Sequence, residues 1–208
     1  MSAKANILKR LRAGQTPFKD VQPVSERNVI VPMDDVDLLE RFVQQAKALS
    51  AHVHQVTDET TAIDTILQII GTDNTVLAWD FEHIPLAGLA NSLKAKNITI
   101  ADPRDGSVRV GITGAEAALA ATGSLVISAK EGRPRSVSLL PHVHIAVIRA
   151  EQILPHFDTW IEQQSQNQSS FRSVGNHVVV TGASRTADIG MELVLGAHGP
   201  AELHIILV

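Results

Sequence analysis

Apolar positions along this chain recur at two periods. Val36, Leu39, Val43, Ala46 and Leu49 lie three or four residues apart. That spacing predicts an amphipathic helix, opened by Asp34, Asp35 and Asp37 at the positive end of its dipole. Residues 52–56 read as a short strand. A second helical stripe of Ala62, Ile63, Ile66, Leu67 and Ile70 follows a Thr57 or Asp58 cap and stops at Gly71. Residues 75–79 then read as a strand, 86–93 as a helix and 98–101 as a strand. Strands separated by helices of about ten residues predict βαβ units and a parallel sheet.

The second half predicts an alanine-rich helix over 113–121, capped by Thr113 with Glu116 placed for a capping box. It runs into Thr122-Gly123-Ser124 and a strand at 125–128. Residues 130–135 read as a turn or hairpin tip, and Ser138-Leu139-Leu140-Pro141 leads into a buried strand at 144–148. A helix over 151–164 turns Ile153, Phe157, Trp160 and Ile161 inward. The Gln-, Ser- and Asn-rich run 163–173 reads as a surface loop, and 178–180 and 203–208 as the last strands. Upstream, Ile7, Leu8 and Leu11 predict a short amphipathic helix within 1–12. Pro17, Pro23 and Pro32 break all periodicity over 14–32, which reads as an extended arm. The expected organisation is an N-terminal helix and arm, 1–33, followed by a doubly wound α/β domain with a mostly parallel sheet, 34–208.

Composition narrows the chemistry. The formal charge of −4 offers no basic field for a phosphate backbone, so nucleic acid is not an expected partner. There is no cysteine, so this sequence supplies no thiolate zinc site, thiol nucleophile or cysteine-ligated iron–sulfur cluster. No apolar run approaches the roughly 18 residues of a membrane span, and no signal-peptide core is visible; the cytoplasm is the expected location. The dinucleotide and nucleotide-triphosphate glycine loops and the Gly-x-Ser-x-Gly elbow are absent too.

Three loops collect small and polar residues beside strands, where α/β sheets bind ligands. Thr122, Gly123 and Ser124 could form an anion-binding turn; the same residues fit a helix-terminal glycine followed by a strand. Arg133 and Arg135 could clamp a carboxylate or phosphate, or form a solvated charged tip. Beyond them, His142 and His144 would share one strand face, as some metal sites require, although a satisfied histidine at a strand entrance is the commoner arrangement and no metal is expected. Gly182, Ser184, Arg185, Thr186 and Asp188 surround a strand end, where Ser184 or Thr186 could cap a helical turn that welcomes an anion; an Arg185–Asp188 salt bridge in a capped turn fits equally. His83 has no assigned role. His198, in a Gly-Pro turn, could carry protons.

These loops also carry a resemblance. Ser184-Arg185-Thr186-Ala187-Asp188-Ile189, then Glu192-Leu193-Val194-Leu195-Gly196-Ala197-His198-Gly199-Pro200, resembles the C-terminal motif of LUD-domain lactate-utilisation proteins. Gly114-Ala115-Glu116-Ala117 through Thr122-Gly123-Ser124-Leu125-Val126 resembles that family's Thr-Gly-strand block. Arg135, Ser138-Leu139-Leu140-Pro141 and His144-Ile145 resemble its Arg…Ser-Leu-Leu-Pro…His-Ile block. One departure is Gly190, where many members carry Glu. The resemblance implies a NagB/RpiA/CoA-transferase-like fold. It also implies a role as the C-type accessory subunit of an L-lactate oxidising system. Lactate oxidation needs a redox carrier, so the iron–sulfur cluster is expected in a partner subunit, with no cofactor in this chain. A homodimer is compatible with this reading. The alternative is a free-standing enzyme or binding protein for a small anionic, CoA-like or folate-like metabolite. Either reading takes Thr122, Gly123, Ser124, Arg133, Arg135, Ser138, Gly182, Ser184, Arg185, Thr186, Asp188 and His198 as the ligand-binding set.

Overall fold

The computed structural model describes residues 3–14, 33–166, 174–186 and 194–208. The chain divides into two compact units, Met1–Asp34 and Asp35–Val208. In the first, α1 (Ala3–Gly14) leaves Ile7, Leu8 and Leu11 exposed. The arm expected from Pro17 to Pro32 lies outside the described residues.

The second unit opens with α2 (Leu38–Ala48), capped by the Asp37 carboxylate, which accepts the Glu40 N–H at 3.0 Å. Phe42, Val43 and Ala46 are its buried face. Next come β1 (Ala51–Gln55), α3 (Glu59–Ile70), β2 (Thr75–Ala78), α4 (Leu89–Ala95), β3 (Thr99–Ile100) and β4 (Val110–Thr113). Asp58 caps α3 by accepting the Thr61 N–H at 2.9 Å, and Gly71 ends it at φ +66°. The chain continues through β5 (Ala117–Leu119), β6 (Ser124–Ala129), β7 (Val143–Ile148), β8 (Ile153–Leu154), α5 (Phe157–Gln166), β9 (Asn176–Val180), β10 (Arg185–Thr186), β11 (Val194–Leu195) and β12 (Glu202–Leu207).

Six strands form one fully parallel sheet in the order β1-β12-β7-β4-β2-β3. Its middle strand, β7, is buried at every position, as expected of a parallel strand covered on both faces. The expected doubly wound α/β architecture is therefore present, with an addition. A second sheet, β8-β5-β6-β9, is mixed, and β10 and β11 make a separate two-stranded pair.

That second sheet corrects two expectations. The alanine-rich segment forms strand β5 and not a helix. Ala117, Ala118 and Leu119 pair antiparallel with Val126, Leu125 and Ser124. Both faces of β5 are covered: Ala118 joins the main core with Leu125 and Ile127, while Ala117 and Leu119 meet Val126 and Trp160 in a smaller cluster. Alanine's helix preference is worth less than this burial. The helix expected over 151–164 is likewise broken into a single turn, the short strand β8 and then α5, with Pro155 between the last two. Ile153 and Trp160 are buried as expected, but Phe157 and Ile161 are exposed. Strand β4 was not foreseen. Its Gly111 lies so close to Val137 that an added Cβ would sit 2.1 Å from the Val137 carbonyl oxygen.

Candidate functional site

Strands β2 and β4 are neighbours, yet the chain leaves them in opposite directions. From β2 it passes through α4 to β3 at the sheet edge; from β4 it passes through the second sheet to β7 on the other side. The carboxyl ends of such a pair flank the crevice where open α/β sheets bind ligands. Trp79 and Asp80 follow β2 there, a 3₁₀ turn at Phe81–His83 comes next, and Gly114 follows β4. Gly114 lets this turn close in, since a Cβ would stand 2.4 Å from the His83 carbonyl oxygen.

The tip after β6 reaches the same place. A bridge between Lys130 and Arg133 closes it, so the expected hairpin tip is present. It is tied down by the Asp80 N–H donating to the Gly132 carbonyl at 2.8 Å and by the Trp79 indole N–H donating to the Pro134 carbonyl at 3.2 Å. Gly132, at φ +73°, has the Asp80 carboxylate and the His83 ring directly against it. Arg133 is thereby held with its guanidinium 5.4 Å from the Trp79 ring centroid.

Arg133 meets a carboxylate. Its Nη1 donates to Glu116 Oε1, and the buried Ser128 hydroxyl donates to the same oxygen. Arg133 Nη2 lies 3.5 Å from His83 Nδ1. A guanidinium can only donate, so His83 Nδ1 is the acceptor in this contact, and its Nε2 faces Glu82 Oε1 at 3.4 Å. The Arg133 and Glu116 side chains are 16% and 27% exposed, so the pair is shielded yet reachable. The cluster can exchange protons through Glu116 and His83. An incoming carboxylate would compete with Glu116 for Arg133.

Among the described residues, Arg133 is the one expected residue in this crevice. Arg135 is exposed at the start of a 3₁₀ turn, its carbonyl accepting from the buried Ser138 hydroxyl at 3.0 Å. Thr122, Gly123 and Ser124 turn β5 into β6, at the far end of β6 from the Arg133 guanidinium, which meets Ser128; four residues at ~3.3 Å each separate Ser124 from Ser128 by roughly 13 Å. Their hydroxyls satisfy one another: Thr122 to Ser124 at 2.8 Å, and Ser124 to Thr181 at 2.8 Å. Gly123 and Gly182 serve packing, since added Cβ atoms would lie 2.3 Å from Ala46 N and 2.2 Å from the Leu49 carbonyl oxygen.

Ser184 organises a different turn. It donates its N–H to the Pro200 carbonyl, accepts from Gly196 N–H on its own carbonyl, and takes the His198 N–H on its hydroxyl at 3.3 Å. Arg185 and Thr186 form β10, opposite Leu195 and Val194, so no helical turn starts at Ser184; a turn capped by Thr186 would lie outside the described residues. Asp188 and Gly190 lie outside the described residues.

The sequence reading missed Trp79, Asp80, Glu116 and Ser128 and left His83 unassigned. The available signal was Trp79-Asp80 at the carboxyl end of a predicted strand. Glu116 was hidden because the segment read as a helix.

Histidines divide into two environments. His144 is fully buried in β7, its Nε2 2.8 Å from the Thr113 hydroxyl, and burial lowers its pKa to about 4. It does not share a site with His142, which is exposed before β7. Among the described residues, no group of three or more side chains is arranged to hold a metal ion. Elsewhere, His52 and His54 of β1 stack on His204 of β12, with ring centroids 4.7 and 5.3 Å apart.

The relatives of this chain agree with its layout. The LUD domain model matches residues 39–208. "Lactate utilization protein C" of Macrococcus caseolyticus is 32% identical over 185 residues, covering 83% of this chain and 78% of that protein. The protein of the same name from Bacillus velezensis is 38% identical over 133 residues, covering 62% of this chain and 53% of its own length. A DUF162 family protein from Deinococcus radiodurans, solved by crystallography, superposes with TM-score 0.60 at 18% identity, over 85% of this chain and 99% of that one; this supports the fold. With its domain matched along nearly its whole compact unit, this chain belongs to the LUD domain family.

Proposed function

We propose that this protein is the C-type accessory subunit of a lactate-utilisation system, working with an iron–sulfur partner in the cytoplasm. The observation that carries this reading is the similarity to "Lactate utilization protein C" over 83% of the chain. Oxidising lactate to pyruvate removes two electrons and two protons. The sequence contains no cysteine to hold an iron–sulfur cluster, so the electrons pass to a partner.

The crevice between β2 and β4 is the place in this chain for a small hydroxy acid. Arg133 offers a fork to a carboxylate; His83 and Glu116 offer proton acceptors to a hydroxyl. Bound substrate would displace Glu116 from Arg133 and leave that carboxylate beside the hydroxyl.

Deleting the gene from a host lacking another lactate route is expected to abolish growth on L-lactate while sparing growth on pyruvate. The tagged protein is expected to bring down a protein with an iron–sulfur absorption spectrum. Normal growth on lactate would sink the reading. Complementation with Arg133→Ala is expected to fail even when expression is raised until the variant matches the wild-type level.

The polar crevice also supports the alternative of an intrinsic ligand such as a CoA-like or folate-like metabolite. A thermal-shift series with hydroxy acids, CoA esters and folates separates the two, because a bound ligand raises the melting temperature with its concentration.

A further inference from the structure

The histidines of β1 and β12 have no part in the crevice. They stand beside a separate groove of about 580 Å³, lined by Lys47, Ser50, His52, His54, Leu195 and Glu202 among others. Parallel register sets His52 opposite His204, so the three rings project from one face of the edge strand and its neighbour. His54 Nε2 lies 3.0 Å from His204 Nδ1, and His204 Nε2 lies 3.4 Å from Glu202 Oε2. From before β7, His142 Nε2 approaches Glu202 Oε1 at 3.9 Å.

These contacts decide what the groove can bind. The His54–His204 contact holds one proton, because two N–H groups cannot point at each other across 3.0 Å. The stack accommodates one imidazolium, on His204, donating to His54 and Glu202. A second positive charge meets the first at stacking distance, with Lys47 also lining the groove and the single carboxylate there among the described residues, Glu202, already facing His204. An anion in the groove removes that penalty. A cation is disfavoured by Lys47, and one nitrogen of His54 and both of His204 already face one another or Glu202. Burial first, and neighbouring imidazoles after it, lower the pKa of both His54 and His204, with Glu202 opposing the shift at His204.

We propose that the groove lined by Lys47, His52 and His54, with His204 stacked on both imidazoles, is a proton-linked binding site for a small oxyanion, separate from the β2/β4 crevice. Anion and proton enter together: binding raises the affinity of the imidazoles for protons, and by linkage acid raises the affinity for the anion.

Calorimetry on the full chain tests this with sulfate and, in a second arm, pyruvate, neither of which titrates between pH 5.5 and 7.5. Binding is expected to be at least tenfold tighter at pH 5.5. Repeating it in two buffers of different ionisation enthalpy is expected to reveal about one proton taken up per anion. The His52→Asn/His54→Asn double variant is expected to lose this binding while keeping its circular dichroism. Preference for one anion identifies the source as phosphate-like or carboxylate-like. Absence of binding at pH 5.5, affinity independent of pH, or unchanged binding in a folded double variant overturns the proposal. If the double variant does not fold, imidazole NMR of the unmodified protein decides: the pKa values of His54 and His204 must rise on adding sulfate, and unmoved values reject the site.

Discussion

Single side chains set two properties of this protein. His144 is buried as a neutral ring against Thr113, with its pKa lowered to about 4 by loss of water. In the unfolded chain it titrates near 6.5, so between these values the unfolded state takes the proton first. Stability is therefore full above about pH 6.5 and declines as the pH falls to about 4. The decline from this residue is roughly 3 kcal/mol at 1.36 kcal/mol per unit. Urea unfolding at stepped pH measures it, and His144→Gln is expected to flatten that part of the curve. Arg133 is the second case. Arg133→Ala strands Glu116 in a half-buried place and removes the contact with Trp79, an expected loss of about 2 kcal/mol. Arg133→Lys keeps the charge without the flat fork, so about half that loss is expected in the same unfolding experiment.

Between elements, close backbone approach is decided by glycine. Gly71 and Gly123 share a φ of +66° but not their surroundings. A Cβ at Gly71 would meet nothing nearer than 3.8 Å, whereas one at Gly123 would stand 2.3 Å from the backbone of α2. Gly71→Ala is expected to cost about 2 kcal/mol, the conformational penalty alone, since φ +66° with ψ −118° lies outside the left-handed helical well. Gly123→Ala adds a backbone collision between the second sheet and α2, so a loss of 3 kcal/mol or more is expected. Thermal melts of the two variants compare them directly. Ala118→Leu probes the doubly covered strand β5: extra methylenes between two cores are expected to cost about 1–3 kcal/mol.

Across the whole molecule, the order of strands creates the crevice. Glu116 and Arg133 are 17 residues apart in sequence and Trp79 lies further upstream, yet the turn of chain direction between β2 and β4 brings all three together. The same topology separates residues that look related in sequence. Thr122-Gly123-Ser124 and Arg133 are near neighbours along the chain, but one six-residue strand holds them at opposite ends. Among the described residues no helix is long and apolar enough to cross a membrane.

The sequence by itself determined the parallel α/β alternation, both capped helices α2 and α3, the strands of the central sheet other than β4, and membership of the LUD family. Each of these rests on local periodicity, local capping or a contiguous motif. Tertiary structure decided the rest. Whether the alanine-rich run became helix or strand depended on which surfaces covered it. Whether Arg133 remained a solvated tip depended on Glu116, Ser128 and Trp79 arriving from other elements. The stacking of His52, His54 and His204 required β12 to lie beside β1, with 150 residues between His54 and His204. Periodicity reports the face a residue presents; only the assembled sheet determines what meets it there.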